Sequence, residues 1–171
     1  MQNYHTKHYK YNVQTQPIEA KSQENIGNGA GAPKMGETQM SAEYAKLKQI
    51  ASEYAEAWSS HSPEAVASFY TEDGQIEINR GQPLKGRDAI AQMAEGFYAS
   101  FPDLKVHCDE VRTAGSHAIF AWTLEGHHAE TKSFVKLAGW EEWELDDQFK
   151  IKSSLGWFDA AEEQRQISRD A

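Results

Sequence analysis

The chain has 171 residues and a formal charge of −9 at pH 7, with 17 basic against 26 acidic side chains. That length suits one domain with a real core and a short appendage. So acidic a balance repels phosphate backbones, no apolar run could span a bilayer, and the N-terminus lacks the apolar stretch of a secretory signal, so neither nucleic-acid binding, membrane insertion nor secretion is expected. Cys108 is the only cysteine, which excludes an internal disulfide and fits a reducing, cytoplasmic location.

Residues 1–40 hold no Trp or Phe and are rich in Gln, Asn, Ser, Gly and Lys, with a linker-like run from Gly27 to Pro33. They read as a disordered tail, because too little apolar surface is present to offset the entropy of ordering. Residues 41–171 read as one domain. Ser41 is a good N-cap, and Tyr44, Leu47, Ile50, Ala51, Tyr54, Ala57 and Trp58 then recur at the three-and-four spacing of one helix face. Ser62-Pro63-Glu64 has the cap, first-position proline and early acid of a second, short helix, with Ala65, Val66, Phe69 and Tyr70 as its buried side. Asp73-Gly74 reads as a turn into a short strand, residues 75–79. Gly86-Arg87-Asp88 opens a third helix striped by Ile90, Met93, Ala94, Phe97 and Phe101, and Pro102 ends it.

The periodicity then changes to strands at residues 104–113, 117–128, 134–145 and 149–158. Helices followed by long strands on short turns predict an α+β fold, with three N-terminal helices over an antiparallel sheet of four to five strands. Both phases of the third long strand carry aromatics: Phe134 and Trp140 in one, Trp143 in the other. A sheet apolar on both faces needs two covers, which predicts a homodimer through the sheet face left uncovered by helices.

Four segments together resemble the SnoaL-like polyketide cyclase branch of the nuclear transport factor 2-like superfamily. They are Glu64 to Gly74; Gly86-Arg87-Asp88-Ala89-Ile90 with Phe101-Pro102-Asp103-Leu104; Trp122-Thr123-Leu124-Glu125-Gly126-His127-His128; and Trp157-Phe158-Asp159 with Arg165-Gln166-Ile167. The resemblance covers roughly residues 42–168. It implies a sheet curved into a cone around a cavity, closed by the helices, and cofactor-free acid–base chemistry such as aldol cyclisation or isomerisation of a carbonyl-bearing hydrophobic substrate. In such cyclases an Asp ending the last strand is the acid–base group, and Asp159 matches that position. A nearby histidine assists there; the last two strands here carry none, and His128 is the nearest candidate. The Asp–Arg–Asp set of the related epoxide hydrolases finds no match in this sequence.

The residues support a weighing of their own. Asp159 is in phase with Phe149, Ile151, Ser153, Leu155 and Trp157, so it either faces a pocket or caps the helix that follows. His127 and His128 point to opposite faces of a strand, and only one can see a cavity. Glu141 shares the phase of Val135, Leu137, Trp143 and Leu145, which makes it an inward carboxylate or the sign of a bulge. Tyr54, Trp58, Phe97, Phe101, Trp122, Glu141 and Trp143 are the expected pocket lining. No metal-ligand spacing, phosphate loop, nucleophile motif or dinucleotide fingerprint is present, so no metal or cofactor is expected. The alternative function is a non-catalytic ligand-binding or dimerisation module of the same fold.

Overall fold

The strongest local signal, the apolar stripe after Ser41, folds as helix α1 (Met35–Ser59). It starts ahead of Ser41 and buries Leu47, Ala51, Tyr54, Ala55 and Trp58. This computed structural model describes residues 35–169, and the expected tail lies largely outside them. Full burial of a side chain such as Leu47 is worth about 1.5–3 kcal/mol, which is what seats the helix.

Next come α2 (Pro63–Ala67), β1 (Tyr70–Ile78), β2 (Leu84–Lys85) and α3 (Arg87–Ser100). They are followed by β3 (Lys105–Ala114), β4 (His117–His127), β5 (Phe134–Leu145), β6 (Ile151–Phe158) and α4 (Ala160–Ile167). Ser62 caps α2 as its sequence suggests, its side chain accepting from the Ala65 amide. The far end of α1 is clasped to β3: Ser59 Oγ accepts from the Val106 amide at 2.9 Å and donates to the Val106 carbonyl at 3.1 Å.

The architecture is α+β with three N-terminal helices, but the sheet departs from expectation in three ways. It has six strands, in the order β2-β1-β6-β5-β4-β3. It is mixed, because β1 runs parallel to β6 while the other neighbours are antiparallel. It is open and not strongly curled, so the helices rather than a closing sheet shut the inner side. Pairing the first strand with the last is a contact of very long range that no local pattern encodes.

Two bulges matter for the site. Asp73-Gly74 is not a turn but sits inside β1, where the register to β6 shifts between Tyr70 and Gln75. A Cβ on Gly74 would lie 2.9 Å from the Ile151 carbonyl oxygen, so only glycine permits this close passage. The second irregularity is in β6. Leu145 pairs with Ile151 but Glu144 pairs with Ser153, leaving Lys152 as an extra residue. One extra residue inverts the faces of all that follow. The buried residues of β6 are therefore Ile151, Ser154 and Gly156, not the run through Ser153, Leu155 and Trp157.

β5 has no such break. Val135, Leu137, Gly139, Glu141, Trp143 and Leu145 are all buried, and the residues between them face outward. That outer face carries exposed Ile119, Phe134, Trp140 and Leu155, with Trp140 stacked on Trp157 at 6.4 Å between centroids.

Candidate functional site

Glu141 points inward from the middle of β5 and is 6% exposed. Such a carboxylate is tolerated only with hydrogen-bond donors around it, and four elements supply them. Ser154 Oγ from β6 donates to Oε2 at 2.7 Å, and the Trp143 indole N–H donates to the same oxygen at 2.9 Å. The Tyr70 hydroxyl from β1 reaches Oε2 at 3.5 Å. The Tyr54 hydroxyl from α1 lies 3.4 Å from Oε2 and 3.5 Å from Oε1. The two phenols are themselves 3.1 Å apart. Arg87, at the start of α3, fixes Tyr70 from behind by donating its Nε–H to the Tyr70 carbonyl at 2.9 Å.

This cradle is lopsided. Oε2 receives the two short bonds, whereas Oε1 has a single contact at 3.5 Å. Burial raises the Glu141 carboxyl above its ordinary value, and the bonds from Trp143, Ser154, Tyr54 and Tyr70 pull in the other direction. Tyr54 and Tyr70 are pushed well above the ordinary phenol range, first by burial and then by the Glu141 charge, so both remain protonated donors.

Glu141 lines a small apolar pocket that opens to solvent. Its wall includes Trp58 of α1, Met93 and Phe97 of α3, Phe120 and Trp122 of β4, and Phe158 of β6. Gly156, opposite Glu141 in register, leaves the space beside the carboxylate open. Glu163 of α4 is the second acid in the lining, and burial raises its pKa while His128 opposes the rise. α4 is held over this side by Gln166, whose side chain pairs with both backbone groups of Lys136 at 2.7 and 3.0 Å, and by Ser133 Oγ donating to the Ile167 carbonyl at 2.8 Å.

Of the expected lining, Trp58, Phe97, Trp122 and Glu141 do line the pocket. Tyr54 and Trp143 stand behind Glu141 and hold it. Phe101 is buried beside an adjoining groove, edge-on to His128 at 5.8 Å, and that groove shares Met93, Phe97 and Glu163 with the pocket. His128 lies in the loop after β4, where its Nδ1 accepts from the Thr131 amide at 3.3 Å. His127 is exposed and bonded to Asp103, Nδ1 to Oδ2 at 2.6 Å.

Asp159 stands elsewhere. Its Oδ1 accepts from the Ala161 and Glu162 amides, both at 3.0 Å, as the N-cap of α4. It is exposed, and the pocket wall does not include it. The extra residue in β6 explains this, because it takes Asp159 out of the inward phase. Sequence reasoning missed Tyr70, taken for a helix face, Ser154, assigned to the wrong phase, and Glu163. The only available signal for Glu163 was its place one turn after a capping Asp.

Among the described residues, no group of three or more His, Cys, Asp and Glu side chains is arranged to hold a metal, and no helix is long and apolar enough to cross a membrane.

The SnoaL-like domain model matches residues 51–153. The chain belongs to the SnoaL-like family. No curated protein matches it in sequence. Its fold, that of the nuclear transport factor 2-like and ketosteroid isomerase-like proteins, is shared with solved structures at low identity. A candidate polyketide cyclase of Xanthomonas campestris pv. campestris superposes with a TM-score of 0.66 at 18% identity, over 73% of this chain and 98% of its own. The epoxide hydrolase/cyclase-like enzyme SalBIII, involved in pyran ring formation in the polyether salinomycin, gives 0.62 at 18% identity over 69% and 94%. A hypothetical protein of Catenulispora acidiphila, solved in complex with trimethylamine, gives 0.63 at 18% over 67% and 88%.

Proposed function

We propose that this SnoaL-like protein is a small-molecule enzyme that carries out acid–base chemistry, an aldol cyclisation or isomerisation, on a carbonyl-bearing hydrophobic substrate, with Glu141 as the proton acceptor. The observation that carries this is the uneven cradle of a carboxylate that lines the pocket: Oε2 is anchored by Ser154 and Trp143, and Oε1 has only the 3.5 Å contact with Tyr54. A carboxyl raised by burial is a stronger base toward a carbon acid beside a carbonyl. The proton moves from that carbon to Oε1, and the C–H electron pair becomes the enolate. The enolate then attacks a second carbonyl, whose oxygen takes the proton back from Oε1 as the new C–C bond forms, or is reprotonated by the same carboxyl at another carbon; neither route consumes a cofactor. Glu141 thus takes the role that the family resemblance assigned to Asp159.

The test is exchange of the α-protons of a flat apolar ketone, β-tetralone, in D2O, followed by proton NMR. Wild type and Asp159→Asn should exchange alike, and Glu141→Gln should lose about 100-fold or more. Equal exchange by wild type and Glu141→Gln overturns the reading.

A non-catalytic ligand-binding module is the second reading. It is favoured by the engagement of Asp159 as a helix cap, and one structural neighbour is itself a complex with a small amine. Under either reading we propose that a second copy of the chain covers the outer sheet face around Ile119, Trp140 and Leu155. Trp140→Glu should then halve the mass measured by light scattering; a wild type that already runs as a monomer contradicts this.

A further inference from the structure

We propose that the carboxylate of Glu163 is the anchor for a cationic group of the ligand, so that the molecule received is an apolar frame carrying a protonated amine. The inference rests on the pocket reading above and narrows its substrate class: a carbonyl placed at Glu141 and an ammonium placed at Glu163.

Glu163 lines both the aromatic pocket and the adjoining groove, which puts it where the two meet. It is half-buried, so a ligand can reach it. Among the described residues its carboxylate has no hydrogen bond and no ion pair. The acid beside it makes the contrast. Glu162 holds the Arg165 guanidinium at 2.5 and 2.6 Å and accepts a further bond from Gln166 at 2.7 Å. The arginine nearest in sequence is thereby engaged by Glu162. His128, in the groove wall, is the one basic residue in either lining. The Thr131 amide donates to its Nδ1 at 3.3 Å, and a nitrogen that accepts carries no proton. The ring is therefore neutral in this arrangement and gives Glu163 no counter-charge. Its opposition to the rise of the Glu163 carboxyl is confined to acid conditions, where an imidazole takes a second proton.

The charges around the two spaces set the sign of what they take. Glu141 and Glu163 are the ionisable side chains of the pocket lining, and among the described residues neither lining includes a lysine or an arginine. A cleft of one sign between apolar walls focuses its field, which draws a cation in and holds an anion out. The rings of the same wall, Trp58 and Phe97 among them, attract a cation through their π-electrons. Charged groups withdrawn from water are normally paired, and Glu163 is partly withdrawn without a partner. An amine at the corner between pocket and groove would give Glu163 the charge-assisted hydrogen bond that Arg165 gives Glu162.

The experiment compares three molecules on one naphthalene frame by equilibrium dialysis against the full chain at neutral pH: 2-naphthylmethylamine, a cation; 2-naphthylmethanol, uncharged; and 2-naphthoate, an anion. Wild type should prefer the amine to the alcohol by about tenfold, as one charge-assisted hydrogen bond provides, and bind the naphthoate weakest. Glu163→Gln should bring the amine-to-alcohol ratio close to one, and Glu141→Gln should keep the preference. In the wild type, the Glu163 carboxyl carbon-13 resonance should move further with the amine than with the alcohol, a readout that does not depend on a variant folding. Equal affinity for amine and alcohol, a naphthoate bound as tightly as the amine, failure of all three to bind, an unmoved resonance, or an unchanged ratio in Glu163→Gln overturns the proposal. A preference lost in Glu141→Gln instead assigns the cation to Glu141 and overturns it too. The two readings fail separately. A wild type that selects the amine yet exchanges no β-tetralone protons defeats the catalytic reading alone, and exchange without an amine preference defeats this one alone.

Discussion

Glu141 in the middle of β5 and Asp159 just past the end of β6 are carboxylates on neighbouring strands, put to opposite uses. Asp159 is exposed and spends one oxygen on two backbone amides at the start of α4. Glu141 is buried, collects hydroxyl and indole donors from four elements, and keeps one oxygen nearly free beside an apolar space. The difference lies in what surrounds each acid. An amide-bound, solvated carboxylate is a structural clip, whereas a desolvated one held by neutral donors is poised to exchange a proton.

Substitutions that break this contrast should scale with it. Glu141→Ala deprives Trp143 and Ser154 of their acceptor and opens a cavity, and should cost about 3 kcal/mol in urea unfolding. Should Glu141→Ala prove as stable as wild type, the cradle is not holding a carboxylate. Gly139→Ala should cost about 2 kcal/mol, because its Cβ would strike the Trp122 ring at 2.4 Å and the Trp157 carbonyl oxygen at 2.5 Å. Gly156→Ala, whose nearest neighbours would be 3.7 Å away, should be nearly neutral for folding and narrow the space beside Glu141. Asp159→Ala should cost about 1 kcal/mol through the lost cap and leave ketone exchange intact; a large loss of exchange with the fold preserved would return the catalytic role to Asp159.

The smallest effect is in pH. The native Glu141 carboxyl titrates above its ordinary value of 4.5. Between that value and the raised one the native state holds more protons than the unfolded chain, so this group makes stability fall as pH rises. Glu141→Gln removes the effect. The thermal midpoint of the variant minus that of wild type should therefore climb with pH across this window and then level off. Asp103, Glu125 and Glu162 are lowered by their hydrogen-bonding partners and act in the opposite direction, losing their contribution as pH falls, but they are common to both proteins and cancel in the difference.

How much of this could be read in the sequence follows the same divide. β5 alternates without a break, so its bounds and the inward phase of Glu141 were legible from residues 134–145 alone. The α1 stripe through Leu47, Ala51, Tyr54 and Trp58 was equally plain. β6 was not, because the extra residue at Lys152 inverts its faces, and nothing in Lys152-Ser153-Ser154 marks the spot. That single bulge turned Asp159 outward and hid Ser154. Tyr70 was lost for a related reason: an apolar residue at helical spacing after Val66 opens a strand once Ser68 caps α2. The parallel pairing of β1 with β6, the contact that brings Tyr70 to Glu141, joins segments too distant for any periodicity to report.

The most direct trial of the account is a carboxyl carbon-13 NMR titration of protein labelled at glutamate, with Glu141 assigned by its absence from Glu141→Gln. The Glu141 resonance should titrate above 4.5 and shift when β-tetralone fills the pocket. A Glu141 carboxyl that titrates at or below that value, and that ignores the ketone, would contradict it.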